Sequence, residues 1–587
     1  LNKRQTKGKS KWMEDKRIGA VGIIFAASAF VIIFRLFTLM ILQHGFYVAL
    51  ASGSQEIYAK LFPTRGEVFV VDSRSGEEYS VAINRDMFLM YADTRDISSD
   101  DEAEGVAEKL AEIFEYDDEE KLALYLRINK RDDPYEPIEQ AIEEELADEI
   151  VELELPGIKF VRRSQRFYPE GGLSAQVIGF IGKDEEGSEQ GRYGIEGYWN
   201  NDLSGEGGFL EGKRGAGGGW IPLAGRLMKP SQDGVDLVLT IDRTLQFKTC
   251  QMLEEARELY GAKKATLIIM EPQTGAILTM CSLPDFDLNI YSKVESIDIY
   301  NNQSIFTPYE PGSIFKPLVM AAAINEEKVG PNTVFHDTGS RDEFCQIPIK
   351  NAGSEVYGDQ TMTGVLENSI NTGMVFVAEQ LGKEKLINYI EKMGFGVSTG
   401  IKLDTEAPGT IETLYRRKGD EIDCYGATAS FGQGIMTTPI QLVTAFNTIA
   451  NGGNLMRPYV VKEVRHSDGE IEEIKPQIIR RVLDKRATSL TSGMLVRVID
   501  TGQGRAAAVP GYYVAGKTGT AQIAERGIYS DFYNHSFIGF APVDEPKFVM
   551  LIKFEKPEPD YSSVTAAPTF GKIAKFILQY YGVVPSR

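Results

Sequence analysis

From Ile18 to Leu42 the side chains are apolar almost without interruption, and Arg35 is the one charged residue among them. About 20 such residues span a bilayer as a helix, so the run predicts a single transmembrane segment over residues 18–43. Residues 1–17 carry seven basic side chains against two acidic ones. That flank stays cytoplasmic and sends the rest of the chain to the far side of the membrane. Arg35, near the outer end, can snorkel to the interface. Ala49-Leu50-Ala51 resembles a cleavage site, but the apolar region of a signal peptide is usually only about 7–15 residues long. An uncleaved anchor is expected.

Beyond the anchor, shorter patterns replace the continuous run. Residues 67–71 and 79–83 read as strands about a Ser-Gly turn. Residues 104–153 read as helices, with Val106, Leu110, Ile113 and Phe114 on one face. Strand and loop character returns at residues 166–171 and 191–196. The glycine-rich stretch 205–219 lacks a Lys-Ser/Thr pair at phosphate-loop spacing and reads as a flexible connection. Near residue 235 the texture changes. A strand over 235–241, a helix over 245–260 and paired strands over 265–270 and 276–280 are followed by alternating helices and strands to the end. The expected organisation is a basic tail (1–17), an anchor (18–43), a strand-rich stalk (44–235) and one large domain (236–587) of mixed α+β class.

Composition narrows the choice of function. A chain of 587 residues, 43% hydrophobic and 25% charged, is an ordinary globular protein of about three or four domain-sized units. Its formal charge of −21 argues against nucleic acid, which wants a basic footprint. Much of the acidity lies between Asp100 and Glu154, interleaved with Leu and Ile, and reads as a solvated helical face. Cys250, Cys281, Cys345 and Cys424 are widely spaced without a C-x-x-C pair, and predict neither a disulfide framework nor a zinc knuckle. His336, Asp342 and Cys345 match no standard ligand set, and H-E-x-x-H is absent. No metal or cofactor is expected.

Three short motifs carry the chemistry. In Pro311-Gly312-Ser313-Ile314-Phe315-Lys316-Pro317 a turn leads into an apolar helix, and the i, i+3 spacing puts the lysine beside the serine hydroxyl. To act as a base, Lys316 must be brought from its ordinary value of about 10.4 toward neutrality, a cost of roughly 4 kcal/mol. Burial against Ile314 and Phe315 and a second nearby cation can supply it. Ser369-Ile370-Asn371 offers a hydroxyl that can relay a proton and an amide that can hold a peptide bond. Residues 514–521 read as a strand carrying Lys517, Thr518, Gly519 and Thr520, with the two threonines on one face. Lys517 and the hydroxyls suit a terminal carboxylate, and the backbone N–H groups of Ser313 and Thr520 suit an oxyanion. Each motif alone is weak. Together they form the apparatus of serine acyl transfer without histidine.

On these motifs the chain resembles a class B penicillin-binding protein. The neighbourhoods agree: Tyr309-Glu310 before the serine turn, Ser430 to Gly434 ahead of Thr438 to Gln441, and Ser536 to Pro542 near the end. Arg65-Gly66, Arg166 with Tyr168-Pro169, and Gly194 with Glu196 match that family's pedestal signatures, although Asp72 is followed by Ser73-Arg74 instead of the usual Arg-Asn-like step. The resemblance implies a dimerisation-type pedestal and a transpeptidase domain built on an antiparallel sheet flanked by helices, with an all-helical subdomain. It implies a membrane-anchored, extracytoplasmic D,D-transpeptidase acting on D-Ala-D-Ala stem peptides of peptidoglycan. Ser313 would be the nucleophile, Lys316 its base, Ser369 the proton return and Asn371 the peptide clamp. Lys517, Thr518, Gly519 and Thr520 would form the substrate strand. β-Lactams would acylate Ser313, and a membrane glycosyltransferase would supply the glycan.

The overall pattern and the chain's end soon after Phe570 lean toward the division-type, septal subgroup over the lateral-wall one. A D,D-carboxypeptidase differs only in using water as acceptor. A β-lactamase would need a deacylating glutamate in an E-x-x-x-N setting; Glu384 to Asn388 has that form but falls on a helix with Leu381, Leu386 and Ile390. A catalytically silent scaffold of the cell-wall machinery is the reading from a different class, and the intact motifs argue against it.

Overall fold

The structure, a computed structural model, describes residues 56–61, 63–183, 189–213, 227–417, 419–525 and 528–587. The basic tail and expected transmembrane segment lie outside them, and among the described residues no helix is long and apolar enough to cross a membrane. The chain divides into two compact units. The smaller contains an antiparallel sheet of three strands, Glu56–Leu61, Gly208–Lys213 and Leu227–Lys229. Residues 208–213 of the glycine-rich stretch expected as a flexible connection are therefore a strand. Residues 56–61 pair with this segment along its whole length.

In the larger unit a seven-stranded sheet runs through the residue 235 boundary read from sequence. Its main path is Ile471–Glu473, Val461–Arg465, Asp236–Asp242, Val68–Val71, Glu78–Ala92 and Glu136–Ile142, and Ile158–Phe167 also pairs with Glu78–Ala92. The strand expected over 79–83 extends to Ala92, because it pairs with Ile158–Phe167 from Ile83↔Phe167 to Ala92↔Ile158. The stretch expected as all helix contains helices Asp100–Phe114, Asp118–Ile128 and Glu144–Glu152, but Glu136–Ile142 between them is a strand. Pro134 and Pro137 disfavour helix there, and proline is tolerated on a sheet edge. Val106 and Leu110 are buried beneath that helical layer as expected, with Ile113 and Phe114 packed against them.

The pedestal signature residues meet in space. Glu196, fully buried, receives Arg65 Nε at 2.9 Å and Arg166 Nε at 2.7 Å, and Arg166 also donates to the carbonyl of Gly66 at 2.7 Å. One carboxylate thus ties together three segments distant in sequence.

The second sheet is antiparallel, in the order Ile277–Leu283, Lys264–Met270, Phe548–Glu555, Ile528–Ala541, Ala515–Glu525. It is covered on both faces, giving a mixed α/β fold. Leu267, Ile269, Met550 and Ile552 pack with Leu253, Phe570 and Ile573 of helices Arg243–Leu259 and Ala566–Tyr580. The alternate residues Ile268, Met270, Val549 and Leu551 belong to the core containing helices Lys316–Asn325, Pro439–Ala450 and Lys485–Asp500. The two-residue period explains this partition.

The cysteines correct the sequence reading. Cys250–Cys281 and Cys345–Cys424 are disulfides with Cα separations of 5.9 and 4.9 Å. Their partners stand 31 and 79 residues apart, and only the tertiary fold brings them together.

Two stability outcomes follow from these cross-links. Glu196→Ala leaves two buried guanidinium groups without their shared carboxylate and should cost about 3–5 kcal/mol in urea unfolding; a loss under 1 kcal/mol would show that the arginines re-pair. By loop entropy, replacing Cys345 and Cys424 with serine should cost about 1 kcal/mol more than the same change at Cys250 and Cys281, read as the larger drop in calorimetric Tm.

Candidate active site

Ser313 lies on a one-turn 3₁₀ helix, Gly312–Phe315, that runs into the α-helix Lys316–Asn325 with Pro317 in its first turn. Side chains at i and i+3 eclipse in a 3₁₀ turn, so Ser313 and Lys316 stand one above the other. The turn is held from two sides. Gly432 accepts a backbone hydrogen bond from Gly312 N at 2.9 Å, and any Cβ on Gly432 would collide with the Gly312 backbone. On the other side runs the edge strand Ala515–Glu525, where a Cβ on Gly519 would lie 2.8 Å from Ile314 Cγ2. Glycine at these two positions lets three backbones converge on the serine. Glu310 adds a polar tie, accepting from Gly434 N at 2.8 Å and Tyr529 Oη at 3.0 Å.

Lys316 and Lys517 are both fully buried and converge on Ser369. Lys316 Nζ donates to Asn371 Oδ1 at 2.7 Å, to the Ser369 carbonyl at 2.5 Å and to Ser369 Oγ at 3.2 Å. Lys517 Nζ donates to the same Oγ at 3.0 Å, to the Thr518 carbonyl at 3.1 Å and to Thr518 Oγ1 at 3.3 Å. Burial, reinforced by the charge of Lys517, drives Lys316 well below the ordinary lysine range. Burial brings Lys517 down to about 7. No hydrogen bond joins Lys316 Nζ to Ser313 Oγ; the lysine's acceptors all lie in the Ser369-Ile370-Asn371 segment. A hydroxyl has two acceptor lone pairs, so Ser369 can serve both lysines and keep its own proton to donate.

Ser369 owes its position to the end of a helix. Helix Met362–Glu367 closes with Ile370 N on the Val365 carbonyl at 2.9 Å and Ser369 N on the Leu366 carbonyl at 3.3 Å. This is a Schellman motif. Ser369 takes the left-handed position with φ +58°, where glycine is usual and a side chain costs of order 1 kcal/mol. The next helix, Asn371–Leu381, starts two residues later. The two lysines, the strained serine and Asn371 are therefore fixed by the junction of two short helices.

Asn371 uses both ends of its amide, since Nδ2 donates to the Lys350 carbonyl at 2.9 Å. One N–H remains for a substrate. Thr518 and Thr520 share a strand face by the two-residue period. The Thr520 hydroxyl is bonded to Ser562 Oγ at 3.1 Å. Glu384 and Asn388 are exposed on helix Lys383–Lys392, with Leu386 and Ile390 turned inward.

Several supporting groups escaped the sequence reading. Asp337, almost fully buried, accepts from Thr372 Oγ1 at 2.6 Å, Asn351 Nδ2 at 2.9 Å, Tyr357 N at 2.9 Å and Gly339 N at 3.0 Å. Burial alone would raise its pKa, but these bonds hold it below the usual carboxylate value. The network joins the first turn of the Asn371 helix to the hairpin that carries Lys350. The loop of that hairpin holds Cys345 and is stapled to Cys424, so Cys345 belongs to a disulfide and not to a metal set. Lys553 lies buried with its ammonium 4.7 Å from the Tyr309 ring centroid. It stands opposite Ser536, which stands opposite Gly519. The one signal for it was a lone charge in the otherwise apolar run Phe548–Phe554.

A serine on a tight turn, two buried lysines and an edge strand on a helix-covered antiparallel sheet are the arrangement of a serine acyltransferase of the penicillin-recognising type. Residues 265–575 match the penicillin binding protein transpeptidase domain and residues 60–239 the penicillin-binding protein dimerisation domain. The chain belongs to this family. It is 37% identical over 460 residues to stage V sporulation protein D of Bacillus subtilis, covering 77% of this chain and 69% of that protein. It is 30% identical over 456 residues to peptidoglycan D,D-transpeptidase FtsI of Escherichia coli K12, covering 75% and 71%. Its fold matches penicillin binding protein 3 of Mycobacterium tuberculosis, solved in complex with aztreonam, with a TM-score of 0.67, 24% identity and coverage of 90% of this chain and 98% of that one.

The strain at Ser369 gives a direct test of the Schellman geometry. Ser369→Gly and Ser369→Ala both remove the shared hydroxyl, but only alanine keeps a Cβ at positive φ. The glycine variant should be the more stable by about 1 kcal/mol in urea unfolding; equal stabilities would contradict the left-handed assignment.

Proposed function

We propose that the protein is a membrane-anchored peptidoglycan D,D-transpeptidase that cross-links stem peptides through a Ser313 acyl-enzyme. The observation that carries this reading is the convergence of Lys316 and Lys517 on Ser369 Oγ beside the serine turn. In its neutral form Lys316 donates two protons, enough for Asn371 and the Ser369 carbonyl, and presents its lone pair to the Ser313 hydroxyl. Ser313 Oγ attacks the carbonyl of the penultimate D-alanine as Lys316 takes its proton. The N–H groups of Ser313 and Thr520 receive the oxyanion. The peptide bond then breaks, and Ser369 hands a proton to the departing D-alanine nitrogen and is refilled from Lys316. An amine of a neighbouring stem peptide attacks the ester, loses its proton along the same path and frees Ser313.

Charged Lys517 and Thr518 hold the terminal carboxylate of the donor, Asn371 donates its remaining N–H to the donor backbone, and Gly519 gives the donor close access to the strand. Thr520 contributes through its backbone N–H. A β-lactam enters as a carboxylate-bearing acyl donor that stays on Ser313. Glu384, exposed on helix Lys383–Lys392 only 15 positions after Ser369, offers no support for a deacylating hydrolase. The basic tail and apolar run 18–42 support a single span with the catalytic unit outside the cytoplasm, and two disulfides suit an oxidising compartment. The division-type pattern and the similarity to a transpeptidase named FtsI support a septal site of action. A membrane glycosyltransferase partner would supply the glycan strands.

Fluorescent penicillin should label the full chain covalently, and Ser313→Ala should abolish the label; an unlabelled wild type would sink the proposal. The second-order rate of acylation should be bell-shaped in pH. Protonation of Lys316 removes the base as pH falls. On the alkaline side Lys517 loses its charge from about pH 7 upward, because its folded pKa is depressed. Lys517→Arg keeps the charge and should move the alkaline limb upward by at least 2 pH units, given a guanidinium pKa above about 12. An unmoved limb would assign it to another group.

A further inference from the structure

Thr520 is where the edge strand meets a second group of polar side chains, away from the two lysines. Ala515–Glu525 is the last strand in the order of its sheet. An edge strand has ladder bonds on one side only, so its position along the cleft depends on what else holds it. Opposite Thr520 on the neighbouring strand stands His535. Both residues are met by residues 561–565, the turn that leads into helix Ala566–Tyr580. Ser562 N donates to Thr520 Oγ1 at 3.2 Å, and the two hydroxyl oxygens are 3.1 Å apart. His535 Nδ1 and Thr565 Oγ1 are joined at 2.9 Å.

The turn is built for these contacts. Thr565 takes the N-cap position of its helix, yet its side chain caps no helical N–H. Threonine is favoured there because its oxygen can accept such a bond. Here the hydroxyl is directed instead to His535 and to the Tyr561 carbonyl, the latter at 3.4 Å. The Thr565 N–H closes the turn on the Ser562 carbonyl at 3.3 Å. Ser562, Thr565 and His535 are all nearly or fully buried, and buried hydroxyls need partners. Those of Ser562 and Thr565 find theirs on the two paired strands. His535 brings no charge, because burial lowers its pKa to about 4 against the opposing pull of Asp560. A neutral ring offers one donor and one acceptor. Thr520 alone of this group is partly exposed, so the network reaches the cleft through it.

We propose that Ser562 is a positioning residue for acyl transfer. It holds Thr520 by the hydroxyl and so fixes the edge strand where the Thr520 N–H receives the oxyanion. Thr565 and His535 in turn hold Ser562. Oxyanion stabilisation demands a donor already in place when charge develops. A strand free to shift on its open side would lose that advantage without losing substrate. The oxyanion role belongs to the transpeptidase reading, on which this inference rests, whereas the hold of Ser562 on Thr520 does not.

The test follows acylation of the full chain by fluorescent penicillin, resolved into a maximal rate and a half-saturating concentration. Ser562→Ala should lower the maximal rate roughly tenfold, short of the roughly 10²–10³-fold loss from deleting an oxyanion donor outright. The half-saturating concentration should stay within about twofold, because the groups that bind the ground state are untouched. Thr565→Val should repeat the defect, and Thr565→Ser should keep the wild-type rate. Thr520→Val retains the backbone N–H but removes the hydroxyl, so Ser562→Ala should add nothing on that background. Additive losses would place the action of Ser562 elsewhere and overturn the inference, as would an unchanged maximal rate. Amide hydrogen exchange supplies a readout that needs no catalysis: the segment containing Thr520 should exchange faster in Ser562→Ala, while helix Lys316–Asn325 does not. Equal exchange at Thr520, or faster exchange throughout, overturns the hold itself. A wild type that penicillin leaves unlabelled strikes the transpeptidase reading, and the exchange measurement still decides the hold.

Discussion

Two lysine side chains buried around one serine hydroxyl are the constraint on which the catalytic unit is built. Taking a charge out of water costs several kcal/mol even after relaxation, and two like charges also repel. The protein offsets this with a full set of acceptors, three for each Nζ. The cost that remains is chemically useful, because it is what lowers the proton affinity of Lys316. A lysine in water cannot take a proton from serine at neutral pH. In the proposed mechanism, one held among carbonyl, amide and hydroxyl oxygens beside a second cation does so because burial leaves it neutral.

That arrangement demands rigid surroundings, and the structure provides them through backbone geometry more than through side-chain packing. Gly432 and Gly519 let the serine turn lie against a loop and an edge strand, closer than any Cβ would permit. A Schellman turn holds Ser369 at a φ that serine avoids, so the adjoining helices must stabilise it. Asp337, with its hydroxyl, amide and backbone donors, fixes the start of the Asn371 helix against the hairpin whose Lys350 carbonyl holds Asn371. The Cys345–Cys424 disulfide anchors the loop of that hairpin.

Much of this was legible in the sequence. The order Ser313, Lys316, Ser369, Asn371, Lys517 named the groups that meet, and burial plus a second cation was the expected reason for a weakened lysine. Arg65, Arg166 and Glu196 were legible only as a family signature, and their meeting on one buried carboxylate needed three dimensions. Contacts without local periodicity were not legible. Cys250 and Cys281 stand on a helix and a strand whose approach depends on the sheet. The strand at Glu136–Ile142 was not legible, because Ile138 and Ile142 also satisfy a helical spacing within an acidic stretch that is otherwise helix-forming. Ser369 in a left-handed conformation gave no signal, because nothing in Ser-Ile-Asn requires a positive φ.

The seven-stranded sheet makes the boundary between pedestal and catalytic core less separable than the sequence texture suggests. Asp236–Asp242 pairs in parallel with Val68–Val71 of the pedestal and, on its other side, with Val461–Arg465 of the catalytic part. A hinge between the two would have to break backbone hydrogen bonds of a continuous sheet, so the pedestal is continuous with the enzyme and not a flexible tether. Strand Asp236–Asp242 also leads directly into helix Arg243–Leu259, which covers one face of the catalytic sheet. Asp72 strengthens the link by accepting from Thr244 Oγ1 at 2.5 Å, so the turn at which this chain departs from the family's usual Asp-Arg-Asn step is itself bonded to the catalytic part. That helix packs on the antiparallel sheet whose far edge carries Lys517, so pedestal and candidate site share one continuous framework.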